Sequence, residues 1–349
     1  MERPPGYAHE TGRDCGAAAV RDLLAYHEWR WPTTEAPADW DLTEAAVFAL
    51  GSGIGSIAYE TDDGWTRFCG RTPWLVANVF AALDVQHLDS RGDDWETALG
   101  DVTARLDDAD PSLLFLDPAS LDRALGRTHQ QPHVVAALDY DDESVLVADP
   151  AATQPLELSH ERLRSAWTVP APFESTNRHL TVQDVSVGVD RETAASRAVR
   201  RTLGYMLDTP ERDDRTWGTR GTHGTDAVRD FADEVARWPT LDPETADDAI
   251  GAACRAIAGE ADAAAHRRLY AEGLDRIGPA AGLAASWANR AHDIADEWAA
   301  IGDEFIAAYD ADAGSTTREE HVEAAASALG AVAEDEARFF ADVREQFRA

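Results

Sequence analysis

The residue with the clearest chemical potential in this sequence is a cysteine at the start of a predicted helix. Residues 9–16 (HETGRDCG) lead into apolar residues at helical spacing, which predict a helix over 15–27. Asp14 is a favourable N-cap, so Cys15 falls on the first turn. There the unpaired amides and the positive end of the helix dipole favour a thiolate over a thiol. The alternative is that Cys15 is a small apolar packing residue, as most lone intracellular cysteines are.

Two further residues are the partners that a nucleophilic cysteine needs. Residues 130–138 predict a strand that contains His133, and residues 144–150 predict the returning strand, which contains Asp149. A connecting loop of about three residues would place His133 opposite Asp149, within one position. A carboxylate beside an imidazole fixes its tautomer and stabilises the imidazolium form.

Each of these residues also has a plainer interpretation. His133 would be a strand-end histidine bonded to the backbone, and Asp149 would belong to an Asp-Pro turn that ends the strand. Their occurrence together, in the order cysteine, histidine, aspartate, favours a catalytic triad in which the acid orients the imidazole and the imidazole activates the thiol.

Several segments resemble known protein families. Residues 14–18 (DCGAA) before an apolar helix, and His133-Val134-Val135 before a strand ending in Asp-Pro, resemble bacteriocin-processing, papain-like peptidases. A closer resemblance, to the N-terminal domain of butirosin-biosynthesis protein H-type acyltransferases, covers residues 15–26 and 42–55. From about residue 177 onward, notably over 223–238, the sequence is similar to the helical domain that commonly follows.

The resemblance implies an α+β protein with a papain-like cysteine-peptidase fold domain followed by an all-α helical domain. It implies acyl transfer through an acyl-cysteine intermediate, from a thioester or amide donor to an amine, without a cofactor. The acyl substrate is a small molecule or a peptide, and an acyl carrier protein is a candidate partner. Two alternatives stay open: a peptidase or amidohydrolase of the bacteriocin-processing type, and a catalytically inactive ligand-binding module.

One position departs from the family pattern. The processing peptidases carry a glutamine six residues before the cysteine, where its amide helps to bind the oxyanion, and this sequence has His9 there. A histidine donates one hydrogen bond, so the resemblance assigns His9 the oxyanion role in altered form, beside the Cys15 backbone N–H. Gln131, next to the predicted histidine strand, is a second auxiliary candidate, with a surface-loop position as its alternative.

The chain length favours two domains, which we predict over 1–172 and 178–349. Prolines and polar residues over 170–177 mark the boundary. Residues 208–224 predict a long loop, either a mobile lid or a disordered segment. Helices are predicted over 15–27, 43–50, 73–83, 159–166, 190–207, 224–238, 243–258, 280–309 and 317–346.

The charge of the chain is strongly acidic. Asp and Glu number 65 against 31 cationic residues, all of them arginine, which gives a net charge of −34. Acidity spread along the chain without lysine is typical of proteins that work in molar salt, where a Debye length of about 3 Å screens self-repulsion. Because no basic stripe is present, nucleic-acid binding is disfavoured.

The sequence does not indicate a metal site, a nucleotide-binding loop or a membrane-spanning segment. The three cysteines are scattered, and neither a C-x-x-C nor an H-E-x-x-H motif predicts a metal site. The glycines at 51, 53 and 55 follow a helix and precede an extended segment, which is the wrong order for a nucleotide loop. Without a cationic, apolar leader or an 18-residue apolar run, we expect a cytoplasmic protein with no membrane partner.

Overall fold

The protein is described here by a computed structural model that covers residues 1–31, 42–60, 64–92, 94–121, 132–169, 173–186, 188–208, 221–259 and 264–348. Three predictions fall on residues outside these ranges. They concern Gln131, most of the 208–224 loop, and the prolines of the predicted domain boundary.

The described residues form helices and short strands in alternation along the first half of the chain and mainly helices along the second. The helices are α1 (Cys15–Tyr26), α2 (Glu44–Leu50), α3 (Leu75–Leu83), α4 (Trp95–Asp107), α5 (His160–Ala166), α6 (Arg191–Leu207), α7 (Gly224–Val235), α8 (Pro243–Ala258), α9 (Arg267–Ile277), α10 (Ala285–Asp310) and α11 (Thr316–Arg348). The strands are β1 (Ile54–Glu60), β2 (Thr66–Arg71), β3 (Gln86–Ser90), β4 (Ser112–Leu116), β5 (His133–Tyr140), β6 (Ser144–Ala148), β7 (Leu156–Ser159), β8 (Thr168–Val169), β9 (Ser175–Thr176), β10 (His179–Asp184) and β11 (Gly221–His223).

The chain divides into two compact units, of which the first comprises Met1–Gly51 and Pro73–Ala194. Its centre is a six-stranded antiparallel sheet in the order β3-β10-β4-β5-β6-β7. Val135 and Ala137 on one face of β5 belong to a core that includes Val102 of α4. The alternate residues of β5 are buried too, and α1 packs against the same strand. A strand covered on both faces needs a continuous apolar run, which β5 has.

The second unit comprises Ser52–Thr72 and Ala195–Ala349. The β1–β2 hairpin forms a three-stranded sheet with β11 and contributes Phe68 to an aromatic core. The Phe68 ring stacks between Phe231, at 5.1 Å, and Trp298, at 5.4 Å between ring centroids. Aromatic burial of this kind is a strong source of packing energy, and it holds the hairpin with helices from the end of the chain.

The α+β class is confirmed, with a sheet-rich N-terminal region and a helical C-terminal region. The compact units divide the chain differently from the predicted ranges 1–172 and 178–349, because Ser52–Thr72 belongs with the second unit. Most predicted helices are present to within a few residues of their ends, whereas α4 and α9 were not predicted. No helix among the described residues is long and apolar enough to span a membrane.

Candidate active site

The cysteine lies where the N-cap pattern predicts it. Cys15 is the first residue of α1, and the Asp14 side chain accepts a hydrogen bond of 2.8 Å from the Ala17 N–H. Asp14 is buried, whereas Cys15 is half-buried, so the cap is enclosed and the cysteine lies at the edge of the core. The local sequence alone sets this arrangement, because an aspartate before a helical run satisfies first-turn amides.

The sulfur of Cys15 also contacts the strand that carries the histidine. The Val134 backbone N–H points to Cys15 Sγ at 3.4 Å. A backbone donor aimed at sulfur favours the anionic form, in the same sense as the dipole of α1. Two elements distant in sequence thus act on the same thiol.

The His133 imidazole lies between Cys15 and Asp149. His133 Nε2 is 2.9 Å from Asp149 Oδ1, and both side chains are buried. The Ala151 N–H donates to the same Asp149 oxygen at 2.9 Å, which holds the carboxylate in place. Because Asp149 occupies Nε2, Nδ1 is the ring atom left for the hydrogen bond between His133 and Cys15.

The electrostatic surroundings of Cys15 and His133 favour a thiolate and an imidazolium over a neutral thiol and a neutral imidazole. Burial alone lowers the pKa of His133, but the charge of Cys15 and the hydrogen bonds that the ring donates to Asp149 and Cys15 outweigh burial and raise that pKa to about 9. At neutral pH the imidazole is therefore protonated. By reciprocity, an imidazolium beside the sulfur favours the thiolate form of Cys15.

The hairpin forms with the predicted three-residue loop but not with the predicted register. Its last ladder pair joins Ala136 to Ala148, and the register shifts between Ala137 and Asp139. Asp149 lies beyond the ladder, in the turn after β6, and its carboxylate reaches His133 from there. The contact between the two residues is as predicted, while the cross-strand pairing behind the prediction is not. The strands close with Tyr140 opposite Val145, further along the chain than predicted, and the register shift recovers only one residue of that offset.

His9 has other partners than an oxyanion. Its Nδ1 is 3.2 Å from Asp22 Oδ2, and its Nε2 is 2.8 Å from the Ala152 carbonyl oxygen. Both ring nitrogens therefore point to protein acceptors, and neither is directed at a substrate oxygen in this arrangement. The predicted auxiliary role of Gln131 concerns a residue outside the described ranges.

Sequence reasoning missed one residue that holds the loop before the cysteine. The Glu44 side chain, in the first turn of α2, accepts a 2.6 Å hydrogen bond from the Asp14 N–H. A Cβ at Gly12 would collide with Ala18 Cβ and with Glu44 Oε1. Burial raises the pKa of Glu44, partly offset by the backbone hydrogen bond from Asp14. No local pattern indicates this contact, because it joins residues 30 positions apart.

Comparisons with known proteins bear on both regions. The family model described as "Butirosin biosynthesis protein H, N-terminal" matches residues 14–150, a range that includes Cys15, His133 and Asp149. A second family model, "Domain of unknown function (DUF4872)", matches residues 161–343, just over half of the chain.

Among solved structures, the chain is similar to a C39-like peptidase from Bacillus anthracis, with 14% sequence identity and a TM-score of 0.35. The similarity covers 53% of this chain and 98% of that one. No curated protein matches the chain. The two family models cover adjacent ranges and together account for most of the sequence. The chain therefore belongs to the DUF4872 family, and its residues 14–150 match the N-terminal model of butirosin biosynthesis protein H.

Proposed function

We propose that this protein is a cysteine-dependent acyltransferase in which Cys15 is the nucleophile, His133 the general acid and base, and Asp149 the acid that orients the imidazole. The observation that carries the proposal is the 2.9 Å contact between His133 Nε2 and Asp149 Oδ1, next to a half-buried cysteine. A cysteine that only packs in the core does not require a buried, charged imidazole beside it, whereas a nucleophilic cysteine does.

The first half of the reaction acylates the enzyme. The Cys15 thiolate attacks the donor carbonyl carbon, a C–S bond forms, and the carbonyl electron pair moves to oxygen. The Cys15 backbone N–H is the proposed donor to that oxyanion. When the intermediate collapses, the bond to the leaving thiol or amine breaks, and the His133 imidazolium gives the leaving group its proton. An acyl-cysteine and a neutral imidazole remain.

The second half releases the acyl group to an amine. The acceptor nitrogen attacks the acyl-cysteine carbonyl, and neutral His133 takes the proton that the nitrogen loses. Collapse of this intermediate breaks the C–S bond, yields an amide, and restores the thiolate–imidazolium pair. Hydrolysis follows the same path with water in place of the amine.

One observation supports an amine acceptor over water: the family model that matches residues 14–150 is named for a biosynthetic protein. The resemblance of the cysteine segment to acyltransferases implies a thioester donor, so an acyl carrier protein is the proposed partner. We also propose that the protein works in the cytoplasm of a cell with molar salt, on the basis of its acidic, lysine-free composition.

The test is capture of the acyl-enzyme. The protein in molar KCl is mixed with an acyl thioester of N-acetylcysteamine, and its intact mass is measured with and without an added amine. We expect one acyl adduct on the wild type and on Cys254→Ala, none on Cys15→Ala, and conversion of the adduct to amide when amine is added. Absence of an adduct on Cys15 contradicts the proposal. Loss of the adduct to water at saturating amine favours the hydrolase alternative.

A further inference from the structure

A short N-terminal segment joins the cysteine helix to the turn that carries Asp149. On the helix side, His9 Nδ1 and the Glu10 N–H both contact Asp22 Oδ2, at 3.2 and 3.1 Å. On the turn side, His9 Nε2 contacts the Ala152 carbonyl oxygen at 2.8 Å, and the Gly12 N–H donates to the Pro150 carbonyl at 2.9 Å. We call residues 9–12 the N-terminal arm.

The contacts of His9 require a particular protonation state. A carboxylate and a carbonyl are both acceptors, whereas a neutral imidazole has one N–H and one lone pair. Only the imidazolium form donates to both partners. The His9 side chain is 2% exposed and that of Asp22 is 4% exposed, so water is poorly placed to replace a missing donor.

The charges around His9 suit a cation. Asp22 of α1 faces one ring nitrogen, and its other oxygen accepts a hydrogen bond from Arg21 at 2.9 Å. Glu10 is the adjacent acid on the arm, and Asp149 is the acid on the turn. Tyr7, which precedes the arm, stays neutral because burial raises its pKa. Asp22 is thus shared between two cations in an otherwise acidic setting.

Two hydrogen bonds within the turn connect the residues that follow Asp149 to Asp149 itself. The Ala152 N–H donates to the Asp149 carbonyl at 2.8 Å, and the Ala151 N–H donates to Asp149 Oδ1 at 2.9 Å. The same Asp149 oxygen contacts His133. The residue that His9 holds is therefore hydrogen-bonded to the acid that orients the imidazole.

We propose that His9, as an imidazolium, is a positioning residue that fixes the Asp149 turn against α1 and so keeps His133 aligned with Cys15. The inference rests on the proposed function, and it replaces the oxyanion role that the family resemblance assigns to His9. A side chain at position 9 that keeps only one of the two contacts would leave the turn held by the Gly12 N–H alone. Displacement of a catalytic group by about 1 Å can cost on the order of 100-fold in rate.

The variant His9→Gln distinguishes the oxyanion role of His9 from the positioning role. A glutamine is the residue that an oxyanion role favours, so that role predicts activity equal to or above the wild type. The positioning role predicts a loss in kcat of about 10-fold to 100-fold with little change in KM, because a glutamine that donates to Ala152 turns an acceptor oxygen toward Asp22. His292→Gln is the matched control, since His292 forms an exposed pair with Asp275 at 2.9 Å. The control should behave as the wild type.

A second readout does not depend on turnover. NMR of the Cys15→Ala protein with ¹⁵N-labelled histidine reports which ring nitrogens carry protons. Both ring nitrogens of His9 should be protonated at neutral pH. The His9 signals are identified as those that disappear when His9→Gln is added to the same protein. A His9 that is neutral at full activity, or His9→Gln with undiminished kcat, would overturn the inference. A wild type that forms no acyl-enzyme would refute the proposed function alone, since the NMR signature would still report the contacts of His9.

Discussion

Both compact units contain a buried ionic cluster, around Arg267 in the second unit and around His133 in the first, and these two clusters differ in how completely they are closed. In the second unit, the Arg267 guanidinium donates to Glu336, to Ser56 and to three backbone carbonyls, and it stacks on Trp298 at 4.3 Å. Glu336 also accepts from Trp298 Nε1 at 2.9 Å, and both charged groups are fully buried. Every donor of the arginine is satisfied within the protein.

The cluster of the first unit is closed on one side only. His133 and Asp149 are buried, like the arginine pair, but the cysteine that completes the cluster is half-buried. A saturated network holds elements together, whereas a network that ends in an accessible thiolate has a group left for chemistry. The comparison predicts that damage to the first cluster costs activity and damage to the second costs stability.

The largest expected effect is on turnover. Asp149→Asn should lower kcat by up to about 10⁴-fold and leave the fold intact, because the imidazole loses its orienting charge. His133→Ala should cost at least as much, and the double variant should be little worse than His133→Ala alone, since residues that act as a unit are not additive. Acyl-transfer kinetics with a thioester donor measure these losses.

Asp142→Asn is the control for this series. Asp142 lies exposed in the loop of the same hairpin and should be nearly silent. A full-activity Asp149→Asn protein, or a double variant that loses the sum of both single losses, would contradict the assignment of these residues to one unit.

The second effect is on stability. Arg267→Met leaves Glu336 buried without its cation, which should cost about 3–5 kcal/mol of unfolding free energy. Arg290→Met is the matched control, because Arg290 forms an exposed pair with Asp342 at 3.0 Å and should change stability by less than about 1 kcal/mol. Urea unfolding of both variants tests the contrast. Equal losses would show that closure of the cluster does not matter.

A contact in these clusters can be predicted from the sequence when its two residues lie close together along the chain. Asp14 and Cys15 are predictable because a cap acts three residues along the chain, at the Ala17 amide. The contact between His133 and Asp149 is predictable because a short hairpin brings them together, although its strands pair in another register.

Contacts between distant segments leave no such signal. The His9 contact with Ala152 spans 143 residues, and the Arg267 contact with Gly70 spans 197. No local sequence pattern distinguishes His9 or Arg267 from the other histidines or arginines, because their partners lie far away along the chain. For the same reason the hairpin over 52–72 gave no sign that it belongs with the second compact unit.

Salt should affect the whole chain. With a net charge of −34, acidic self-repulsion grows as screening is removed, so Tm should fall as KCl is lowered from molar to millimolar concentration. We expect a fall larger than the 2–4 °C that about 1 kcal/mol produces in a chain of this size. A thermal melt series measures it, with sorbitol as a control for osmolarity. A constant midpoint would remove the inference that the protein is adapted to salt.

The smallest effect concerns Glu44. Burial raises the pKa of this carboxyl from its ordinary 4.5, so the folded state binds its proton more tightly than the unfolded state does. The wild type therefore loses stability as pH rises from about 4.5 through the raised pKa. Glu44→Gln keeps an acceptor for the Asp14 N–H and does not titrate. Its stability relative to the wild type should therefore increase between pH 4 and pH 7. Unfolding curves at both pH values test the sign, and a relative decrease would contradict it.

The central claim, a thiolate–imidazolium pair at Cys15, is tested most directly by the rate at which each cysteine is alkylated. Iodoacetamide labelling in molar KCl, followed by peptide mass analysis, compares Cys15 with Cys254, a half-buried cysteine whose pKa is raised by burial. Cys15 should react at least about 10-fold faster than Cys254 at pH 7, and this preference should be lost in His133→Ala. A native Cys15 that reacts no faster than Cys254, or that keeps its rate without His133, would contradict the account.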